Sequence, residues 1–147
     1  YSDISYTVYG LLDQGMVEEA RVLANISVRD TVRSNMFAEV YYNWEFPEPG
    51  GVRPSFFGAG YVMDMVLMNN GYRMDQGWPH LVRLHPGDGG VSNIRIRGKT
   101  LNLRLEQDSV RLEGSFVRAR PDCRRLAVAV GETVAVSSQC APTDSHG

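Results

Sequence analysis

Two cysteines, three histidines and a single lysine, Lys99, are all that 147 residues hold of those types, and each scarcity excludes something. No apolar run approaches the roughly 18 residues that a spanning helix needs, so no membrane span is expected. Neither a G-x-G-x-x-G nor a P-loop pattern is present to cradle phosphate, and no G-x-S-x-G turn presents a nucleophile. Carboxylates close in sequence, such as Glu18-Glu19 or Glu45 with Glu48, are ordinary surface residues. The chain is therefore expected not to be an enzyme and to carry no cofactor. One rival survives, a metal-assisted enzyme built on His80, His85 and Asp88, with Asp75 nearby. An odd separation puts His80 and His85 on opposite faces of an extended strand, and their spacing matches no zinc pattern.

Charge is unevenly spread. Residues 1–90 carry 6 basic and 11 acidic side chains, residues 91–125 carry 9 basic and 4 acidic, and the remainder adds 2 acids. The net charge of -2 and the lack of basic residues interleaved with aromatics argue against nucleic acid as a partner.

What the chain does have is turn punctuation. With Gly131-Glu132 as a two-residue hairpin loop, Val130 faces Thr133, and counting outward brings Cys123 opposite Cys140. That pair falls at a non-hydrogen-bonded position, where Cα atoms approach most closely and a disulfide can span them. A Cys123–Cys140 bridge implies an oxidising compartment, hence a secreted, periplasmic or cell-surface location. Gly98-Lys99 as a loop pairs Ile96 with Leu101 and Ile94 with Leu103, leaving Arg95 and Arg97 on the other face. Gln107-Asp108 as a loop sets Leu105 against Val110 and Leu103 against Leu112, with Arg104 directly across from Arg111. Phe116-Val117 breaks the alternation and predicts a β-bulge. Residues 92–139 read as a five-strand meander.

Upstream, residues 36–46 alternate through Met36, Ala38, Val40, Tyr42, Trp44 and Phe46, the pattern of a half-buried strand. Residues 20–28 alternate likewise through Ala20, Val22, Ala24, Ile26 and Val28, although Leu12, Met16, Ala20 and Leu23 also fit a helical stripe. Ile4, Tyr6 and Val8 suggest a first strand, able to pair with a neighbouring copy's sheet edge. Tyr61–Met68 followed by Asn70-Gly71 suggests a hairpin in which Leu67 faces Met74. Pro47–Gly60 reads as a long loop and Ala141–Gly147 as a disordered tail. The expected architecture is all-β: one antiparallel β-sandwich over residues 1–140, immunoglobulin-like or jelly-roll, with a closed β-barrel as alternative.

Two surfaces are candidates for recognition. Arg95, Arg97, Arg104 and Arg111 project from the polar side of the meander, and Phe37 and Tyr41 stand on the otherwise polar face of residues 36–46. The expected function is a non-enzymatic extracytoplasmic binding or structural module, adhesin-like or part of a surface assembly, with a protein or glycan partner. A second rival is a carrier of small apolar ligands, with Tyr42, Trp44, Met63, Met65 and Met74 around a cavity.

Overall fold

The structure, a computed structural model, describes residues 4–35, 40–41, 49–50 and 56–141. Two compact units divide the chain, Tyr1–Asn69 and Asn70–Gly147.

The first unit is built on helices. Helix α1 (Ile4–Asp13) buries Ile4, Ser5, Val8 and Leu12, and α2 (Val17–Ser34) buries Ala20, Leu23, Ala24 and Ser27, both at the helical spacing of three and four. Between them Gly15, at φ 75°, closes a Schellman end: its N–H reaches the Leu12 carbonyl at 3.0 Å, and Met16 N–H reaches Leu11 at 2.9 Å. Asn35, at φ 55°, ends α2 in the same left-handed region. Two short strands, β1 (Val40–Tyr41) and β2 (Pro49–Gly50), pair antiparallel before α3 (Phe56–Asn69), which buries Val62, Met65 and Met68.

These helices overturn the all-β expectation, and with it both the β-sandwich and the closed barrel. Ile4–Val8 is helix and offers no strand edge to a neighbouring copy. Residues 20–28 alternate in hydrophobicity, yet Val22 is 46% exposed while Leu23 and Ala24 are buried side by side. The helical stripe prevails because α2 runs 18 residues without Gly or Pro to interrupt it. Tyr61–Met68 is likewise helix, so the Leu67:Met74 pairing does not exist. Of the strand expected over residues 36–46, only Val40 and Tyr41 lie within the described residues, and there they do form a strand.

The second unit holds two open antiparallel sheets. One has the order β3-β4-β9, from β3 (Tyr72–Asp75), β4 (Trp78–Val82) and β9 (Thr133–Ala135). The other is a meander, β5-β6-β7-β8, of β5 (Gly89–Ile96), β6 (Lys99–Leu105), β7 (Ser109–Glu113) and β8 (Arg125–Ala127). A single-turn helix, α4 (Pro121–Arg124), precedes β8. In the meander Leu101, Leu103, Leu105, Val110 and Leu112 are buried on one face.

The β6–β7 register is as expected, Leu105 on Val110, Leu103 on Leu112 and Arg104 on Arg111. The β5–β6 loop is Arg97-Gly98 rather than Gly98-Lys99, so Ile96 pairs with Lys99 and Ile94 with Leu101. Both loop residues have positive φ, 47° and 76°, as a type I′ turn demands, which puts the glycine second rather than first. A two-residue shift keeps residues 94–96 and 100–105 on their expected faces, whereas Arg97 moves into the turn and, past the register slip, Val91 lies opposite Leu103. Instead of a bulge at Phe116-Val117, β7 stops at Gly114 (φ 106°), where a Cβ would lie 2.2 Å from the Thr100 carbonyl oxygen, and Phe116 N–H then donates to that carbonyl.

The last expected hairpin opens out. The tight turn is Ala129–Glu132, closed by Glu132 N–H on the Ala129 carbonyl, with Gly131 at φ 90°. Its two arms then part, β8 joining β7 and β9 joining β4. Cys123 and Cys140 are nevertheless bonded, with Cα atoms 5.3 Å apart. The bridge ties α4 to the turn Ser137–Cys140 instead of crossing between strands.

Candidate functional site

The outer face of the meander concentrates charge. Strand alternation sends Leu103, Leu105, Val110 and Leu112 inward, so Arg104 and Arg111 point outward, and β8 adds Arg125 opposite Arg111. With neighbouring strands about 4.8 Å apart, three arginines stand in a row across β6, β7 and β8. Like charges so placed repel. One acid offsets part of that repulsion: Glu106 Oε1 accepts from Arg111 Nε at 2.9 Å, and Oε2 accepts from Arg125 Nη2. The Arg104 side chain makes no ion pair or hydrogen bond among the described residues, and neither does that of Glu113, two residues beyond Arg111 on the same face.

The turn that carries Glu106 is braced from below by Arg83, whose surface is 1% exposed. Its Nη1 donates to the Glu106 carbonyl and, at 3.5 Å, approaches that of Ser109. Its Nε and Nη2 reach the carbonyls of His85 and Pro86, each at 3.3 Å. A buried guanidinium surrounded by main-chain oxygens thus fixes the β6–β7 turn to the loop after β4.

The fourth strand shapes the face. At the level of Arg104 it contributes Gly90, where a Cβ would fall 2.4 Å from the Leu103 carbonyl oxygen, so only glycine permits this approach. Beyond Gly90 the register slips between Val91 and Ile94, and Asn93 takes a φ of 61°. Its N–H donates to Asn102 Oδ1 at 2.7 Å, which pins the bulge. Beside it lies a concavity of about 140 Å³ lined by Ser92, Asn102, Arg104, Arg111 and Glu113 together with Val91 and Leu103. A second, of about 550 Å³, continues past Arg111 and Glu113 to Arg124 and Arg125.

Of the residues singled out from the sequence, the structure brings Arg104 and Arg111 together. Arg95 shares their face but pairs with Thr100, its Nη1 donating to Thr100 Oγ1 at 2.9 Å, four residues along β6 from Arg104. Arg97 leaves the face altogether: it sits in the β5–β6 turn with its guanidinium 5.8 Å from the Trp78 ring centroid. Trp78 in turn donates through Nε1 to the Val136 carbonyl and packs against Phe116 at 5.9 Å. Phe37 lies outside the described residues, as do Tyr42 and Trp44; of Tyr41 the structure describes the pairing with Pro49 in β1. Met63 and Met65 occupy different sides of α3, the first 51% exposed and the second buried, while Met74 on β3 is 42% exposed, so these methionines form no single stripe.

His80 and His85 do not converge either. His80 Nδ1 lies 3.1 Å from the Trp78 carbonyl oxygen, and His85 Nδ1 accepts from Gly87 N–H at 3.1 Å. Among the described residues no three His, Cys, Asp or Glu side chains are placed to hold a metal ion.

Sequence reasoning passed over Arg125 and Arg83. Arg125 was hidden by the assumption that its strand pairs with β9. No local pattern separates Arg83 from the other arginines, since its burial is decided by loops that close around it from elsewhere in the chain.

Comparison with protein-family models gives no match, and comparisons with curated proteins and with solved structures give none either.

Proposed function

We propose that this chain is a non-enzymatic, extracytoplasmic binding or structural module that takes an anionic protein or glycan on the outer face of β5-β6-β7-β8. The observation that carries the reading is the arginine row, in which Arg104 stands beside Arg111 and makes no ion pair among the described residues. Arranging like charges side by side costs stability, and an anion seated on the row would offset that cost. The Cys123–Cys140 bridge supports an oxidising compartment, and no helix among the described residues is long and apolar enough to cross a membrane.

The test is a binding screen against acidic glycans and acidic peptides, read for wild type, Arg104→Ala and Arg111→Ala. Retained anions whose affinity falls about tenfold or more in both variants support the reading, since a lost charge-assisted contact is worth at least that much. Binding indifferent to both substitutions removes this face from consideration.

A further inference from the structure

Resting on that reading, we infer that the concavity beside the β5 bulge holds one hydroxylated sugar carboxylate, a uronic-acid residue, and that the partner is therefore an acidic polysaccharide. A plain anion site needs cations alone, and this concavity offers more. Arg104 supplies a whole guanidinium fork matched to a planar carboxylate, and Arg111 adds the Nη donors that its Nε–Glu106 pair leaves over. Within the same 140 Å³, Glu113 supplies a carboxylate with no partner among the described residues. It would repel a second anion but accept hydrogen bonds from hydroxyl groups. Asn102 has its Oδ1 committed to Asn93 N–H, which leaves its amide N–H groups as the donors of a residue lining the same space, and Ser92 adds a hydroxyl.

An Asp or Glu side chain of a peptide could satisfy the arginines, but its only donor for Glu113 is a single main-chain N–H, with no hydroxyl group. A uronic-acid ring carries both halves of the pattern, one carboxylate and several hydroxyls fixed a few bonds apart. Local backbone geometry serves the same end. Asn93 takes the left-handed conformation that asparagine tolerates better than most side chains, and bulges of this kind re-aim side chains where a sheet builds a site. A polymer rather than a free sugar follows from continuity: the row extends through Arg111 to Arg125 into the second concavity, which shares Arg111 and Glu113 with the first.

The experiment is calorimetric titration of the full chain with trigalacturonate, monomeric galacturonate, neutral galactotriose and hexaglutamate. Wild type is expected to bind trigalacturonate, to bind the monomer more weakly and to ignore galactotriose. Arg104→Ala should weaken trigalacturonate about tenfold or more. The decisive variant is Glu113→Ala. Loss of a hydroxyl acceptor weakens trigalacturonate several-fold, whereas removal of a mere repulsive charge strengthens it. A stronger or unchanged uronate complex in Glu113→Ala, or hexaglutamate binding as tightly as trigalacturonate, overturns the sugar assignment and leaves the anion-binding reading standing. Monomer binding equal to trimer overturns the polymer. Failure of both trigalacturonate and hexaglutamate to bind sinks the inference and the reading together.

Discussion

Arg83 places a full positive charge where water scarcely reaches, and main-chain carbonyls rather than a carboxylate receive it. Replacing it with Met would keep the length and remove the donors, leaving the carbonyls of the half-buried His85 and Glu106 without this partner, while the exposed Pro86 can turn to water. A buried group left unsatisfied costs about 1–3 kcal/mol, so Arg83→Met is expected to lower stability by about 2 kcal/mol in urea denaturation. Arg83→Lys should recover little of this, because an ammonium cannot fork across carbonyls in two loops. Asp64 on α3 presents the opposite case. Burial pushes its carboxyl above the usual 3.8, with a hydrogen bond from Ser5 opposing the shift. An acid whose folded pKa is raised contributes stability that is fully present below 3.8 and lost as pH rises through the raised value. Asp64→Asn is therefore expected to melt above wild type at neutral pH, and the difference in Tm should close on acidification below the ordinary aspartate value.

Among the elements, the C-terminal turn is held twice. The Cys123–Cys140 bridge closes a separation of 17 residues, and Arg118 binds the same segment from another side, its N–H to the Cys140 carbonyl and its Nε to that of Ala141, both at 2.9 Å. In the chain-entropy account a loop of this size is worth about 3 kcal/mol. Reduction, or Cys123→Ser with Cys140→Ser, should thus lower the unfolding free energy by about 3 kcal/mol in chemical denaturation while far-ultraviolet circular dichroism of the native state stays unchanged. A collapse of the β signal on reduction would show that Arg118 does not hold the segment by itself. Of the two edges of the meander, β5 is the longer, an eight-residue strand, and its bulge at Val91/Ile94 interrupts the flat run of main-chain groups that a foreign strand would need.

Over the whole molecule, charge divides where the units divide. Residues 1–69 hold nine acidic and four basic side chains, and residues 70–147 hold eight acidic and eleven basic. Net charge consequently misdescribes the surface that matters, since the second unit is cationic within an acidic chain. Anion binding through the arginine row should weaken as salt is added, because the screening length falls from about 30 Å at 0.01 M to about 3 Å at 1 M ionic strength. Titration of trigalacturonate across that range checks this. Affinity independent of salt would mean that the arginines take no part in it.

How far the sequence alone reaches depends on the distance over which each feature is decided. The β6–β7 hairpin was legible because a two-residue turn and strict alternation act within ten residues, and they place Arg104 across from Arg111 without help from elsewhere. The disulfide was legible too, although through a hairpin that does not form: two cysteines 17 residues apart and a sharp turn between them allow few other outcomes. Helix against strand in residues 20–28 was not, since one set of residues satisfies both periods until Ala20, Leu23, Ala24 and Ser27 find neighbouring helices to pack against. The parting of β8 from β9, the arrival of Arg125 beside Arg111 and the burial of Arg83 belong to the same class. Local pattern fixes which way a side chain faces along its own strand; which strand lies next to it, and which carbonyls close over it, is settled only when distant segments compete for the same partners.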